Sequence, residues 1–234
     1  MKKLLPITAL LWLGSLCGAA ENPVASRVAF DAELLRQGIF TYQLSVEGKP
    51  VGTAKIEIRR LPSGEYRIQS DAEDFGQRWS STLKRDFTPL AAELHMPTRK
   101  IPYHMSLRYS GKRVMGEEVR GDAKTPVAAP LSGQVIDQRV DWAAMMAAVV
   151  PASGVRFGVF DPGSAISPVE GSRKPAEPID SVMGKQNAIA LHYTIRKTDH
   201  EENYVVYATE SLPRVMLRED MPNDLVATLI AIEN

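Results

Sequence analysis

The residues of this chain whose types could carry chemistry are four histidines, two short acidic runs and one cysteine. His95, His104, His192 and His200 each fall in or beside a predicted strand, with spacings that fit no zinc motif. His192, between Leu191 and Tyr193, reads as a hydrogen-bonded structural histidine, and His104 as a solvated one on the polar face of its strand. Asp71-Ala72-Glu73-Asp74 lacks the ligand spacing and the glycine of a calcium loop, so it reads as a solvated turn. Asp199-His200-Glu201-Glu202 lies between two predicted strands and reads as a polar hairpin tip. No G-x-S-x-G elbow exposes a serine. Carboxylate pairs of the glycosidase kind are assembled in space without a sequence spacing, so the sequence leaves them open.

The cysteine, Cys17, lies in a segment built like an export signal. Met1-Lys2-Lys3 is a basic start, Leu4 to Leu13 is an apolar run broken once by Pro6, and Gly18-Ala19-Ala20 supplies small residues for cleavage after Ala20. The apolar stretch is too short for a membrane span. Leu16 before Cys17 argues against lipid attachment there, because lipoprotein processing favours a small residue at that place. The expected organisation is therefore a signal peptide over 1–20 and a single domain over 21–234, located in the periplasm. Loss of Lys2 and Lys3 leaves two more acidic than basic residues, no profile for nucleic acid. The remaining chain has no cysteine, hence no disulfide, thiol nucleophile or cysteine-type zinc site, and no cofactor is implied. Such a chain is held together by burial, for which it is long enough as a monomer.

The elements that would position any site are mostly alternating segments, the mark of half-buried antiparallel strands. Phe40, Tyr42, Leu44 and Val46 share a face, and after the turn Glu47-Gly48-Lys49-Pro50 so do Ala54, Ile56 and Ile58. Ile101, Tyr103, Met105, Leu107 and Tyr109 form the clearest such face. Further strands are expected at 65–70, 81–87, 91–96, 113–119, 155–160, 188–196, 204–209, 213–217 and 225–232. Gly121 to Gly133 reads as a connection and Ser164 to Asp180 as a long loop rich in Pro, Gly and Ser. The period changes once, where Asp141 caps a helix carrying Trp142, Met145, Met146, Val149 and Val150 on one stripe until Pro151. The fold class is thus mainly β: a curved antiparallel sheet, an open or half-closed barrel around one helix at about 141–150.

A curved sheet with Phe40, Tyr42, Tyr103, Met105, Leu107 and Tyr109 on its inner face could hold an apolar ligand. Trp142, Met145 and Met146 would add adaptable surface from the helix. These nine are the candidate ligand-binding residues. The competing reading is that the helix fills the concavity and all nine are core.

Phe40-Thr41-Tyr42-Gln43-Leu44-Ser45-Val46 with Gly48-Lys49-Pro50-Val51-Gly52, then Gly154-Val155-Arg156-Phe157 with Val159-Phe160-Asp161, then Leu212-Pro213-Arg214 occur in an order that spans most of the chain. Together they resemble the exported bacterial domain-of-unknown-function family 3108. That family is similar in shape to the LolA/LolB type of lipoprotein carrier, a curved sheet wrapped round a helix. The resemblance implies envelope residence and handling of a lipid, lipoprotein or acylated partner, and no catalytic residue. The expected function is non-enzymatic binding of an apolar ligand. The alternatives are a structural or interaction protein with a filled core and, less favoured, an envelope hydrolase.

Overall fold

The computed structural model describes residues 27–98, 100–149, 154–163 and 166–233. Cys17, Ala20 and the rest of the expected leader lie outside the described residues. The strands are β1 (Gly38–Val46), β2 (Lys49–Arg60), β3 (Tyr66–Ala72), β4 (Gln77–Leu83), β5 (Pro89–Met96), β6 (Tyr103–Ser110), β7 (Arg113–Arg120) and β8 (Ala123–Pro130). After β9 (Val135–Asp137) comes the helix α1 (Asp141–Ala147), then β10 (Val155–Phe160), β11 (Ser167–Ser181), β12 (Gly184–Arg196), β13 (Glu201–Thr209), β14 (Met216–Asp220) and β15 (Leu225–Glu233).

All fifteen strands form one sheet, ordered β8-β7-β6-β5-β4-β3-β2-β1-β15-β14-β13-β12-β11-β10-β9. Sequence neighbours pair because their turns are short, and the two arms of the meander meet where β1 takes β15 as its second partner. Apart from the parallel β9–β10 pair, every pairing is antiparallel. Alternation is cleanest in β3, where Tyr66, Ile68, Ser70 and Ala72 are buried and the residues between them are not. No described helix is long and apolar enough to cross a membrane.

The sheet does not close into a barrel: β8 and β9 are its two free edges. The ends meet through side chains instead. Val135 of β9 and Phe160 of β10 pack with Ala92, Met105, Leu107, Tyr109 and Val114 of β5, β6 and β7 in one apolar cluster. Tyr109 and Phe160 meet edge to face, ring centroids 6.3 Å apart, the arrangement their quadrupoles favour. A separate, larger core fills the concave side around α1 and includes Phe40, Tyr42, Met145 and Met146.

Every residue of α1 is buried, so it fills the concave side as a plug. It is shorter than the apolar stripe suggests and ends at Ala147, before Pro151. The backbone after it is captured by the segment preceding β1: Asp31 N–H donates to Ala147 O at 3.1 Å and Val149 N–H to Ala29 O at 3.0 Å. Ala148 is extended and bridges to Phe30. Val149 therefore points out, 63% exposed, and Val150 lies outside the described residues. Asp141 is also the first helical residue rather than the cap, because a 3₁₀ turn over Gln138–Val140 leads directly into α1.

Two stretches expected to be connections are strands. Residues 123–130 form β8, an edge strand whose two faces are both largely exposed, so no alternation marks it. Pro126 and Pro130 fit there because a strand paired only with β7 has one side that donates to nothing. Residues 167–181 form β11, which pairs with β12 along its length but with β10 only as far as Gly171. The register shift between Lys174 and Glu177 absorbs Pro175. Proline-rich composition here marks an unpaired strand side. The expected strands at 81–87 and 213–217 lie at 77–83 and 216–220.

Candidate functional site

Inward positions of strands from both arms surround a cavity of about 430 Å³ beside the helix. Its apolar wall comes from Tyr42 and Leu44 of β1, Ala54 and Ile56 of β2, Trp79 of β4, Leu94 of β5 and Leu225 and Ala227 of β15, with Trp142 of α1 against them. These positions face one way because strand side chains alternate. Met216 and Met221 supply thioethers that adapt to irregular shapes. The Tyr42 hydroxyl, fully buried, donates to Met216 O at 3.0 Å, which ties β1 to β14 across β15.

One part of this wall is polar. Asp141 at the start of α1 and Glu219 of β14 both line the cavity and are 6% and 7% exposed. Asp141 Oδ1 accepts the Trp142 N–H at 2.6 Å, a carboxylate at a helix start where N–H groups lack partners. The Tyr193 hydroxyl donates to Glu219 Oε1 at 3.3 Å. Burial pushes the Asp141 carboxyl up to about 7, opposed by the Trp142 N–H. Burial, followed by the Asp141 charge, pushes Glu219 up to about 8. Tyr193 stacks on Tyr204, centroids 4.8 Å apart and planes within 6°.

Arg139 lines the same region but is already committed. It forms a very short ion pair with Asp137, which has no exposed surface, and reaches Asp161 Oδ1 at 3.4 Å. Burial works against the guanidinium charge, and Asp137 and its neighbours more than offset it. Lys197 donates to Gln138 Oε1 at 2.7 Å and lies 3.8 Å from Glu202.

Of the nine residues expected from the sequence to bind a ligand, Tyr42 and Trp142 line this cavity. Phe40, Met145 and Met146 are buried in the main core, and Met105, Leu107 and Tyr109 in the seam between the sheet ends. Tyr103, partly buried beside that seam, donates to Glu118 and lies under Arg120. The inner face is thus divided between two cores, and the cavity lies along the first of them.

Sequence reasoning missed Trp79, Asp141 as a lining group, and Glu219. A signal for Glu219 existed. Had the last strands been carried to Asp220, the alternation would have set Glu219 on the same face as buried Leu217.

The histidines take no part in this cavity. His95 and His104 are cross-strand neighbours on the opposite face, rings 5.8 Å apart, within a charged groove of about 600 Å³ that Lys55, Glu57, Arg67, Asp71 and Glu93 also line. Asp71 pairs there with Arg78 at 2.9 Å, while Asp74 accepts the Thr53 N–H at 2.8 Å and so fastens a 3₁₀ turn to β2. His200 hydrogen-bonds Asp199 at 2.7 Å at an exposed hairpin tip. Among the described residues no group of three or more His, Cys, Asp or Glu is placed to hold a metal ion.

A large curved sheet that wraps a plug helix and keeps a lateral cavity is a β-barrel-like architecture, left open along one seam. The family model described as "Protein of unknown function (DUF3108)" matches residues 41–230, and the chain belongs to that family. Its structure is similar to a β-barrel-like protein of domain of unknown function DUF1849 from Brucella abortus, with a TM-score of 0.56 over 85% of this chain and 98% of the other. At 9% identity that likeness concerns the fold alone. No curated relative matches the chain.

Proposed function

We propose that this protein is an exported, periplasmic binding protein that takes up the apolar part of a lipid or acylated partner without transforming it. The observation that carries the reading is the 430 Å³ cavity walled by Leu44, Ile56, Trp79, Trp142 and Met216 on the concave side of the sheet. Cavities of this size and lining are the usual form of small-ligand sites. A filled core with no ligand, the interaction-protein reading, would leave no such space. Export by the leader at 1–20 belongs to the same proposal.

The test is titration of delipidated protein with a fluorescent acyl probe, alongside Ala54→Trp, whose new indole projects from a cavity-lining position. We expect saturable binding by the natural sequence and at least a tenfold loss in the variant, about 1.4 kcal/mol. Absence of probe binding, or equal binding by a folded Ala54→Trp, defeats the reading.

A further inference from the structure

We infer that the ligand of this cavity carries a cationic ammonium head, which sits against Glu219 and Asp141 while its apolar chain lies along the Leu44–Ile56 wall. This rests on the cavity being a binding site and adds what it recognises.

The argument begins with charge. The cavity's lining holds three carboxyls, Asp141, Asp161 and Glu219, against one guanidinium, Arg139. That guanidinium is already paired to Asp137 and Asp161. Lys197, whose charge also reaches Asp141, is held by Gln138 and Glu202. Around Glu219 stand Tyr193 from β12, Tyr42 from β1, Asp141 from α1 and its neighbour Asp220, which Arg218 holds at 2.5 Å. None of these is a cation that Glu219 can use.

Hydrogen bonds do not make up the deficit. The Tyr193 phenol offers Glu219 one proton, across a contact that at 3.3 Å is long for an O–H···O bond. Asp141 has a donor in the Trp142 N–H. Glu219, 7% exposed, lines the cavity, and among the described residues its side-chain hydrogen bond is the long contact to Tyr193. A buried carboxylate without a cation is costly, so the empty site holds protons there. A ligand ammonium supplies the missing charge in their place.

The walls suit the same group. Tyr42, Trp79, Trp142 and Tyr204 bring four aromatic rings to the cavity lining, and aromatic faces with carboxylates form the usual setting for ammonium groups in proteins. A fatty acid would set a second anion against Glu219 and is disfavoured.

The experiment compares dodecyltrimethylammonium, dodecanol and dodecanoate below their micelle concentrations, read by fluorescence of the cavity tryptophans and by calorimetry. The trimethylammonium charge does not titrate, so any pH dependence of its binding belongs to the protein. At about pH 9 it should bind at least tenfold more tightly than dodecanol, and the margin should shrink at about pH 6 as Glu219 and Asp141 take up protons. Dodecanoate should bind most weakly. Glu219→Gln should cut the ratio of the first two probes severalfold at about pH 9, with Asp141 retaining the remainder. Equal binding of dodecanol and the ammonium probe at that pH, or a ratio unchanged in Glu219→Gln, overturns the head-group assignment while leaving the apolar cavity standing. Failure of all three probes to bind overturns both.

Discussion

Glu219 and Asp141 make the folded protein a proton acceptor near neutrality. Burial raises both carboxyls, to about 8 and about 7, above the range they hold in an unfolded chain. From that ordinary range up to about pH 8 the folded state therefore binds more protons than the unfolded state, and stability falls as pH rises. The melting temperature should drop between about pH 5 and about pH 9. Glu219→Gln, which keeps the neutral shape, should reduce that drop by about 2–4 °C in thermal melts followed by circular dichroism. Asp31 acts in the opposite sense: its bidentate contact with Arg85 lowers its carboxyl, so that contribution is lost only on acidification. The meeting of these two carboxyls could not be read from sequence spacing, although alternation places Glu219 on a buried face. Asp141 has the sequence position of a helix cap, Glu219 lies beyond the expected end of its strand, and the Tyr193 that bonds Glu219 lies 26 residues before it.

At the level of elements, the strand faces were legible and the edges were not. Phe40 and Tyr42, Ala54 to Ile58, and Met105 to Tyr109 are buried on the side their alternation implies, because a half-buried strand writes its faces in a period of two. β8 and the outer half of β11 face solvent on both sides and leave no such record. α1 shows a related failure. Its stripe was visible, but its end is decided by Phe30 and Asp31, more than a hundred residues earlier. The helix is held by what it touches, being too short to persist alone. Met145 has no exposed surface and leaves no room at Gly171, where an added Cβ would come within 2.5 Å of its Cε. Met145→Ala should cost about 2–5 kcal/mol in urea unfolding. Gly171→Ala should be relieved when combined with Met145→Ala, a coupling that a double-mutant cycle measures.

Across the whole molecule, two arms of a meander share β1 and β15 as a spine, pack together around α1, and bring their free ends together at the apolar cluster of Tyr109, Met105 and Phe160. Phe160→Ala should therefore speed amide hydrogen exchange in β9 and β10 well before it affects β1 to β3, a difference that exchange measured by mass spectrometry resolves. Such a join has a mechanical meaning. A closed barrel has its girth set by strand number and shear, and can widen only by tearing backbone hydrogen bonds. Here the circumference is completed by side chains, which slide past one another at far smaller cost. The protein is built like a split ring, whose girth is set by side-chain packing at the seam, while the prolines of β8 keep its free lip from pairing with a neighbour's.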